Sequence, residues 1–468
     1  MKTFTYRNLC IFTIAFLIQQ IPSYAQKVNT IDPWQNVANI LKNIKAPTFA
    51  KRDFVITTFG AKGDGVTNSS VAIKKAIEAC YKAGGGRVVV PAGKYFTGPI
   101  YLKSNVNLHV QKGATLLFST KPDDYLPLVH TRWEGIDLMN YSPLIYAFKE
   151  KNIAITGEGI LDGQATNKNW WPWKGRKNYG WIEGTPNQTD NDKRAALFAM
   201  AEKDIPIADR KFGNGFYLRP QFVQPYACEN ILIEGIKIIN SPMWVVNPVL
   251  CNNVTISKVT IDSDGPNSDG CDPESCKNVL IKDCYFNTGD DCIAIKSGRN
   301  RDGRRINIPS ENIVIQNCTM AKGHGGIVIG SEISGGAKNI YAENCKIISA
   351  SLNQPLRIKT SSARGGTIEN IYFRNITVDQ FKEEAVIITM LYEDKGDYLP
   401  TIKNINIDNL LVKKGGKRGI VLEGYPASAI TNVKFNNVII NGVETPIQSN
   451  NAKGIIWNNT FINGKKIQ

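Results

Sequence analysis

The chain has 468 residues, 42% of them hydrophobic, with 56 Lys and Arg against 41 Asp and Glu and a formal charge of +15. Ten cysteines at no metal-binding or small-scaffold spacing exclude a short disulfide framework. No run downstream of the N-terminus approaches the roughly 20 apolar residues of a membrane helix.

At the N-terminus Lys2 and Arg7 precede an apolar stretch from Leu9 to Ile18, then Ser23-Tyr24-Ala25 before Gln26. This predicts a secretory signal peptide over 1–25, cut after Ala25, and a secreted or periplasmic mature chain without a membrane span. Cys10 lies inside the apolar stretch rather than just after the cut, which argues against a lipid anchor. Without Lys2 and Arg7 the charge falls to about +13. A basic chain attracts polyanions, whether nucleic acid, anionic membrane or acidic polysaccharide. In an exported chain with no nucleic-acid module, acidic polysaccharide comes first; a solubilising surface with no partner is the plain alternative.

Thr67 to Ser70 precede Ile73, Ala76, Ile77, Cys80 and Tyr81 at helical spacing, ended by Gly84-Gly85-Gly86. The spacing predicts one short amphipathic helix. From 169 to 219 the chain is rich in Trp, Lys, Asn and Gly and reads as a loop-rich insertion. Beyond it a short pattern recurs, Asn followed by alternating β-branched residues, at Asn230, Asn253, Asn278, Asn312, Asn339, Asn370, Asn404 and Asn432. Period two argues strands, and units of this length argue a solenoid whose coils bury their inner faces by stacking. Six residues after each Asn stand Ile236, Val259, Cys284, Cys318, Cys345, Ile376, Leu410 and Val438, the pattern of an inward ladder. The Asn residues are expected at turns between sheets. Cys271 and Cys276 could form a local bridge, or be small buried residues as most of the cysteines should be. The predicted fold is all-β: a single-domain right-handed parallel β-helix over 26–468, its N-terminal end capped by the helix.

The densest polar stretch is Asp262 to Asp272, followed one repeat later by Gly289-Asp290-Asp291. Stacked coils would bring Asp269 close to Asp290 and Asp291, three carboxylates that raise one another's pKa unless neutralised or used. A calcium site or solvated turns would use the same residues. The next coils carry Gly323-His324-Gly325 and Arg357-Ile358-Lys359. Period two puts Arg357 and Lys359 on one side of a strand, where they could clasp a carboxylate or simply be surface charge.

Asn267-Ser268-Asp269, Gly289-Asp290-Asp291, Gly323-His324-Gly325 and Arg357-Ile358-Lys359, in this order and one coil apart, resemble the four signature blocks of the polygalacturonase family of glycoside hydrolases, family 28. The opening Phe59-Gly60-Ala61-Lys62-Gly63-Asp64-Gly65 and the repeats extend the resemblance over most of the chain. Ser268 stands where the family commonly has Thr. The resemblance implies inverting hydrolysis of α-1,4-linked galacturonic acid in pectin, without metal or cofactor, by a monomer. Asp290 would be the acid, held by His324 and kept protonated by neighbouring carboxylates. Asp269 and Asp291 would activate water, with carboxyl groups roughly 6.5 to 9.5 Å apart. Arg357 and Lys359 would bind the substrate carboxylate, with Asn267 as a further substrate contact and Tyr392 either another at the cleft wall or a buried residue. The insertion's Trp170-Trp171-Pro172-Trp173-Lys174 and Ser241-Pro242-Met243-Trp244 resemble segments of bacterial exo-acting members; ordinary loop packing would also account for these tryptophans. The rival readings are a rhamnogalacturonan or other galacturonide hydrolase, a calcium-dependent pectate lyase, and a non-catalytic polysaccharide-binding β-helix.

Overall fold

The computed structural model describes residues 32–468 together with Met1; the predicted signal segment lies outside the described residues. Short strands stack in parallel, each pairing with its equivalent one coil away. One column runs through Lys151–Gly157, Glu229–Glu234, Asn252–Ser257, Lys277–Lys282, Ser310–Gln316 and Ala337–Glu343. It continues through Thr367–Gln380, Thr401–Lys414, Ile430–Ile440 and Ala452–Ile462. Another runs through Ile145–Phe148, Val223–Tyr226, Ile293–Ile295, Gly325–Ile329, Gln354–Lys359, Glu384–Thr389 and Arg418–Glu423. The chain is a right-handed parallel β-helix, the hand that parallel crossovers take almost without exception.

The repeat asparagines set the shape of each coil. All eight have φ between 56° and 60°, a left-handed conformation that Asn tolerates better than most residues. They lie within strands rather than at turns between sheets, because each kinks its strand and bonds to an Asn of the previous coil, its equivalent in every case but Asn278, which donates to Asn252. Asn339 Nδ2 donates to Asn312 Oδ1 at 3.1 Å, and Asn370 Nδ2 to Asn339 Oδ1 at 3.2 Å. Five residues further on, Asn375, Asn409, Asn437 and Asn459 form a second ladder of the same kind. Inside, the eight positions from Ile236 to Val438 are all buried. The nine cysteines among the described residues are free and buried, so Cys271 and Cys276 are core residues and form no bridge.

The helix Ser70–Lys82 packs Ala72, Ile73, Ala76, Ile77 and Cys80 into the core of the first coils. Tyr81, expected on the buried face, is exposed. Three further helices went unpredicted. Gln35–Asn43 lies across the outside of the solenoid, burying Val37 and Ile40 beside Val314 and Tyr341, with Trp34 edge-on to Tyr341. Asn300–Ile306 follows the acidic coil. Arg194–Glu202 lies inside the insertion, which is therefore not loop alone. It packs Leu197 and Ala201 against Trp133, Ile136 and Leu138 of an antiparallel hairpin, Val129–Trp133 with Ile136–Asn140. Lys211–Phe212 returns to pair with that hairpin, so insertion and hairpin form one unit.

The ladder accounts for the choice of Asn. Asn339→Ala should cost about 3 kcal/mol, about 1 for each of two ladder bonds and about 1 because Ala adopts left-handed backbone less readily than Asn. Asn339→Gly should cost only about 2, since it loses the bonds without that strain. Guanidinium midpoints compare the two; equal losses would remove backbone conformation from the explanation.

Candidate active site

Cys271 pairs with Ile293, and Ile293 with Ile327, so the residues two positions earlier, Asp269, Asp291 and Gly325, fall in one line across three coils. Gly270 N–H donates to the Asp291 carbonyl at 2.9 Å, and His324 N–H to the Asp290 carbonyl at 3.0 Å. Glycine is required where this line is tightest. A β-carbon on Gly325 would lie 2.7 Å from Asp291 Oδ1, and one on Gly323 2.7 Å from the Asp290 carbonyl oxygen.

One oxygen from each of Asp269, Asp290 and Asp291 lies within 4.8 Å of the others. This is closer than the separation expected for an acid and base on opposite faces of a sugar bond. A water molecule fits between two oxygens this far apart, since two hydrogen bonds of about 2.8 Å span more than that distance. His324 Nδ1 stands 3.0 Å from Asp290 Oδ1. Asn267 turns its amide nitrogen towards Asp290 Oδ2 at 3.5 Å, because its own oxygen accepts from Lys174 Nζ at 2.6 Å and Arg219 Nη2 at 2.9 Å.

Arg357 and Lys359 share one side of their strand and face the acids. Lys359 Nζ donates to Asp291 Oδ2 at 2.8 Å, and Arg357 Nη1 lies 3.8 Å from Asp291 Oδ1. The Tyr392 ring stands 5.1 Å from both cations. All eight sequence-predicted site residues therefore line one pocket, which encloses about 890 Å³ of space including its open mouth.

The ionisation pattern differs from the expected one. Burial raises the Asp290 carboxyl, but the hydrogen bond and charge of His324, with Lys359 and Lys174, outweigh it and hold Asp290 well below the usual carboxylate range. Asp290 in turn raises His324. The carboxyls pushed well up are Asp269 and Asp272, each chiefly by burial and then by neighbouring charges. In the free protein these shifts favour a carboxylate on Asp290 beside a protonated His324, the opposite of an Asp290 kept protonated by neighbouring carboxylates.

Sequence reasoning missed Lys296, Glu332, Glu134, Arg194, Arg299 and Tyr179 in the pocket wall. Lys296 had a readable signal: Ile293-Ala294-Ile295-Lys296 alternates as Leu356-Arg357-Ile358-Lys359 does, and puts its cation on the same face. Glu134 and Arg194, paired at 2.6 Å, had none, since they come from the hairpin and the insertion. The insertion also contributes Lys174, brought down to about 8 chiefly by burial, and Arg176. Its tryptophans serve as anchors: Trp170 is buried against Tyr125 and Trp173, and Trp171 Nε1 donates to the Ser241 carbonyl at 3.0 Å. Trp244 lines the pocket instead. The carboxylate trio could offer oxygens to a cation, but Asp291 is already bonded to Lys359, and Lys296, Arg357 and His324 surround the group with positive charge that opposes a divalent ion.

The sequence profile of the glycosyl hydrolases of family 28 matches residues 209–460, and that of the rhamnogalacturonase A/epimerase, pectate lyase-like proteins matches residues 54–111. The chain is 45% identical to a hyperthermoactive exopolygalacturonase from Thermotoga maritima of known structure, covering 92% of this chain and 96% of that one, with a TM-score of 0.90. It is 29% identical to an exo-poly-alpha-D-galacturonosidase of Dickeya chrysanthemi, over 87% of this chain and 70% of that protein. A probable polygalacturonase of Vitis vinifera is 29% identical over 87% of this chain and 77% of the relative. The carboxylate trio, the His324 block and the paired cations all fall inside the matched region, and with it they establish that the chain belongs to the glycosyl hydrolases of family 28.

Proposed function

We propose that the chain is an exo-acting polygalacturonase that hydrolyses α-1,4-linked galacturonic acid with inversion. The observation that carries this reading is the facing of two charge sets across one pocket: Asp269, Asp290 and Asp291 opposite Arg357 and Lys359. An acid trio serves glycoside cleavage, and a guanidinium beside an ammonium serves a sugar that carries a carboxylate. The relatives named for exo action, and the wall that Lys174, Arg176 and Tyr179 of the insertion build at the pocket, support attack at a chain end.

In this mechanism the substrate carboxylate neutralises Arg357 and Lys359 and the sugar displaces water. Neutralising Lys359 weakens the positive charge that, with His324, holds Asp290 low, and displacing water adds to the burial that raises it, so the proton on His324 Nδ1 passes across the 3.0 Å hydrogen bond and on to the leaving oxygen. Asp269 and Asp291 hold a water between them, and the carboxylate that takes its proton frees the oxygen that attacks the sugar carbon. Lys359 orients Asp291 through its 2.8 Å hydrogen bond while Arg357 carries most of the substrate contact. A rhamnogalacturonan substrate would leave this clasp with less to do.

Hydrolysis of polygalacturonate should release reducing ends while viscosity falls slowly, and proton NMR should show the β-anomer of the released sugar first. The rate should persist in excess chelator and fall by about 10² to 10⁴ or more in Asp290→Asn, the scale of losing a positioned acid. An unsaturated product, recovery by calcium of a chelator-inactivated protein, or normal turnover in the variant would each overturn the assignment.

The clasp makes a separate expectation. Arg357→Ala should lose roughly 1.5 to 3 kcal/mol of transition-state binding on unesterified oligogalacturonides and much less on methyl-esterified ones, at fixed ionic strength. An unchanged preference for the free acid would place carboxylate recognition elsewhere.

We further propose that the chain is exported after cleavage behind Ala25, on the charge and apolar pattern of residues 1–25. N-terminal sequencing of protein recovered from a secreting host should begin at Gln26. A mature chain that retains Met1 would count against export by this route.

A further inference from the structure

Beneath the acids lies a cation that the proposed mechanism does not use. Lys296 is almost wholly buried, with its ammonium 4.5 Å from the centre of the Trp244 ring. Its Nζ donates to Glu332 Oε2 at 3.1 Å and lies 3.7 Å from Asp269 Oδ2 and 3.9 Å from Asp272 Oδ2. Neither Asp272 oxygen has a hydrogen-bond partner among the described residues, nor has Asp269 Oδ1. Two buried carboxylates, Asp269 of the trio and Asp272 beside it, thus share a single ammonium with Glu332.

The other charges facing them are Asp290 and Asp291 on the next coil, Glu332 one coil beyond, Arg299 bonded to Glu332 at 3.2 Å, Lys359 bonded to Asp291, and Arg219 bonded to Asn267. Among the described residues only Lys296 comes within 4 Å of Asp269 with the opposite charge.

We propose that Lys296 is a positioning residue for hydrolysis, a buried counter-charge that favours the carboxylate form of Asp269 facing the attacking water while Asp272 competes for it. The inference rests on the proposed function for the role of Asp269. A base must be unprotonated before it can take a proton from water, and a buried carboxylate beside others ionises only if a cation compensates it. Burial, Asp272 and Asp290 all drive Asp269 towards its protonated form, and Lys296 opposes them. Glu332, Asp272 and Asp269 keep Lys296 charged against its own burial.

The sign of each change follows. Removing the ammonium makes Asp269 harder to ionise, so the acidic limb of kcat/KM moves to higher pH. Removing the competing charge of Asp272 makes it easier, so the limb moves to lower pH. On polygalacturonate, Lys296→Met should shift the acidic limb up by at least one pH unit, a tenfold or greater loss below the limb that is largely recovered well above it. Lys296→Arg should keep the limb near the wild-type position, and Asp272→Asn should move it down. Lys296→Met combined with Asp272→Asn should bring it back towards wild type. A uniform loss of rate at every pH, with the limb unmoved in both Lys296→Met and Asp272→Asn, would overturn the inference; if Lys296→Met does not fold, an unmoved limb in Asp272→Asn does so alone. Infrared titration of the carboxyl band in wild type and variants reads the same ionisation without turnover. A wild-type chain inert on polygalacturonate would count against the proposed function, whereas carboxyl titration unaffected by Lys296→Met or Asp272→Asn would count against Lys296.

Discussion

Strands stacked in parallel register lie about 4.8 Å apart, and a side chain on a strand of an inner coil has its counterpart at that distance in the coil above and the coil below. For apolar residues and for Asn the arrangement is favourable. An aliphatic column excludes water, and an Asn amide can donate to one neighbour while accepting from the other, as Asn339 does between Asn312 and Asn370. For ionised groups the same spacing is a burden, since like charges at about 4 Å repel by about 4 kcal/mol even at an effective dielectric constant near 20. The site of this enzyme is built where that burden is greatest.

Neutralisation comes from the same register. Asp291 stacks towards the strand that delivers Lys359 and Arg357, and Asp269 and Asp272 lie against Lys296 from the coil that follows. Each cation directly follows an inward apolar residue, Lys296 after Ile295, Arg357 after Leu356 and Lys359 after Ile358, so core packing fixes where the ammonium or guanidinium points. The insertion and the hairpin lie outside this regularity and need other fixings. Buried ion pairs supply them: Arg132 with Asp137 at 3.0 Å and Glu274 at 3.1 Å, and Arg210 with Asp302 at 2.6 Å.

What could be read from the sequence followed this division. The repeat Asn, the inward ladder and the four blocks are periodic signals, and a period converts sequence distance into spatial distance without further information. Asp269, Asp290, Asp291, His324, Arg357 and Lys359 were legible for that reason. The conformation of the Asn residues was not, because their left-handed kink depends on a bond to the neighbouring coil. Nor was the helix Gln35–Asn43, whose contact with Tyr341 joins residues about 300 positions apart. Glu134 and Arg194 reach the pocket from segments with no period, and Lys174, which adds to His324 and Lys359 in holding Asp290 low, comes from the aperiodic insertion as well.

The insertion bears on more than the geometry of binding. Trp170 and Trp171 pin it to the coils, so the wall it forms beside Asn267 is fixed rather than hinged. For an enzyme that cleaves from a chain end, the freed sugar then sits against that wall while the shortened polymer still fills the mouth. With the wall closing that end, release of the polymer before the sugar is the expected order, and sliding along one chain to the next cut is disfavoured. Each turnover then begins with a new encounter in solution, which gives the chain's strongly basic surface a kinetic purpose: it hastens recapture of a polyanion let go after each cut.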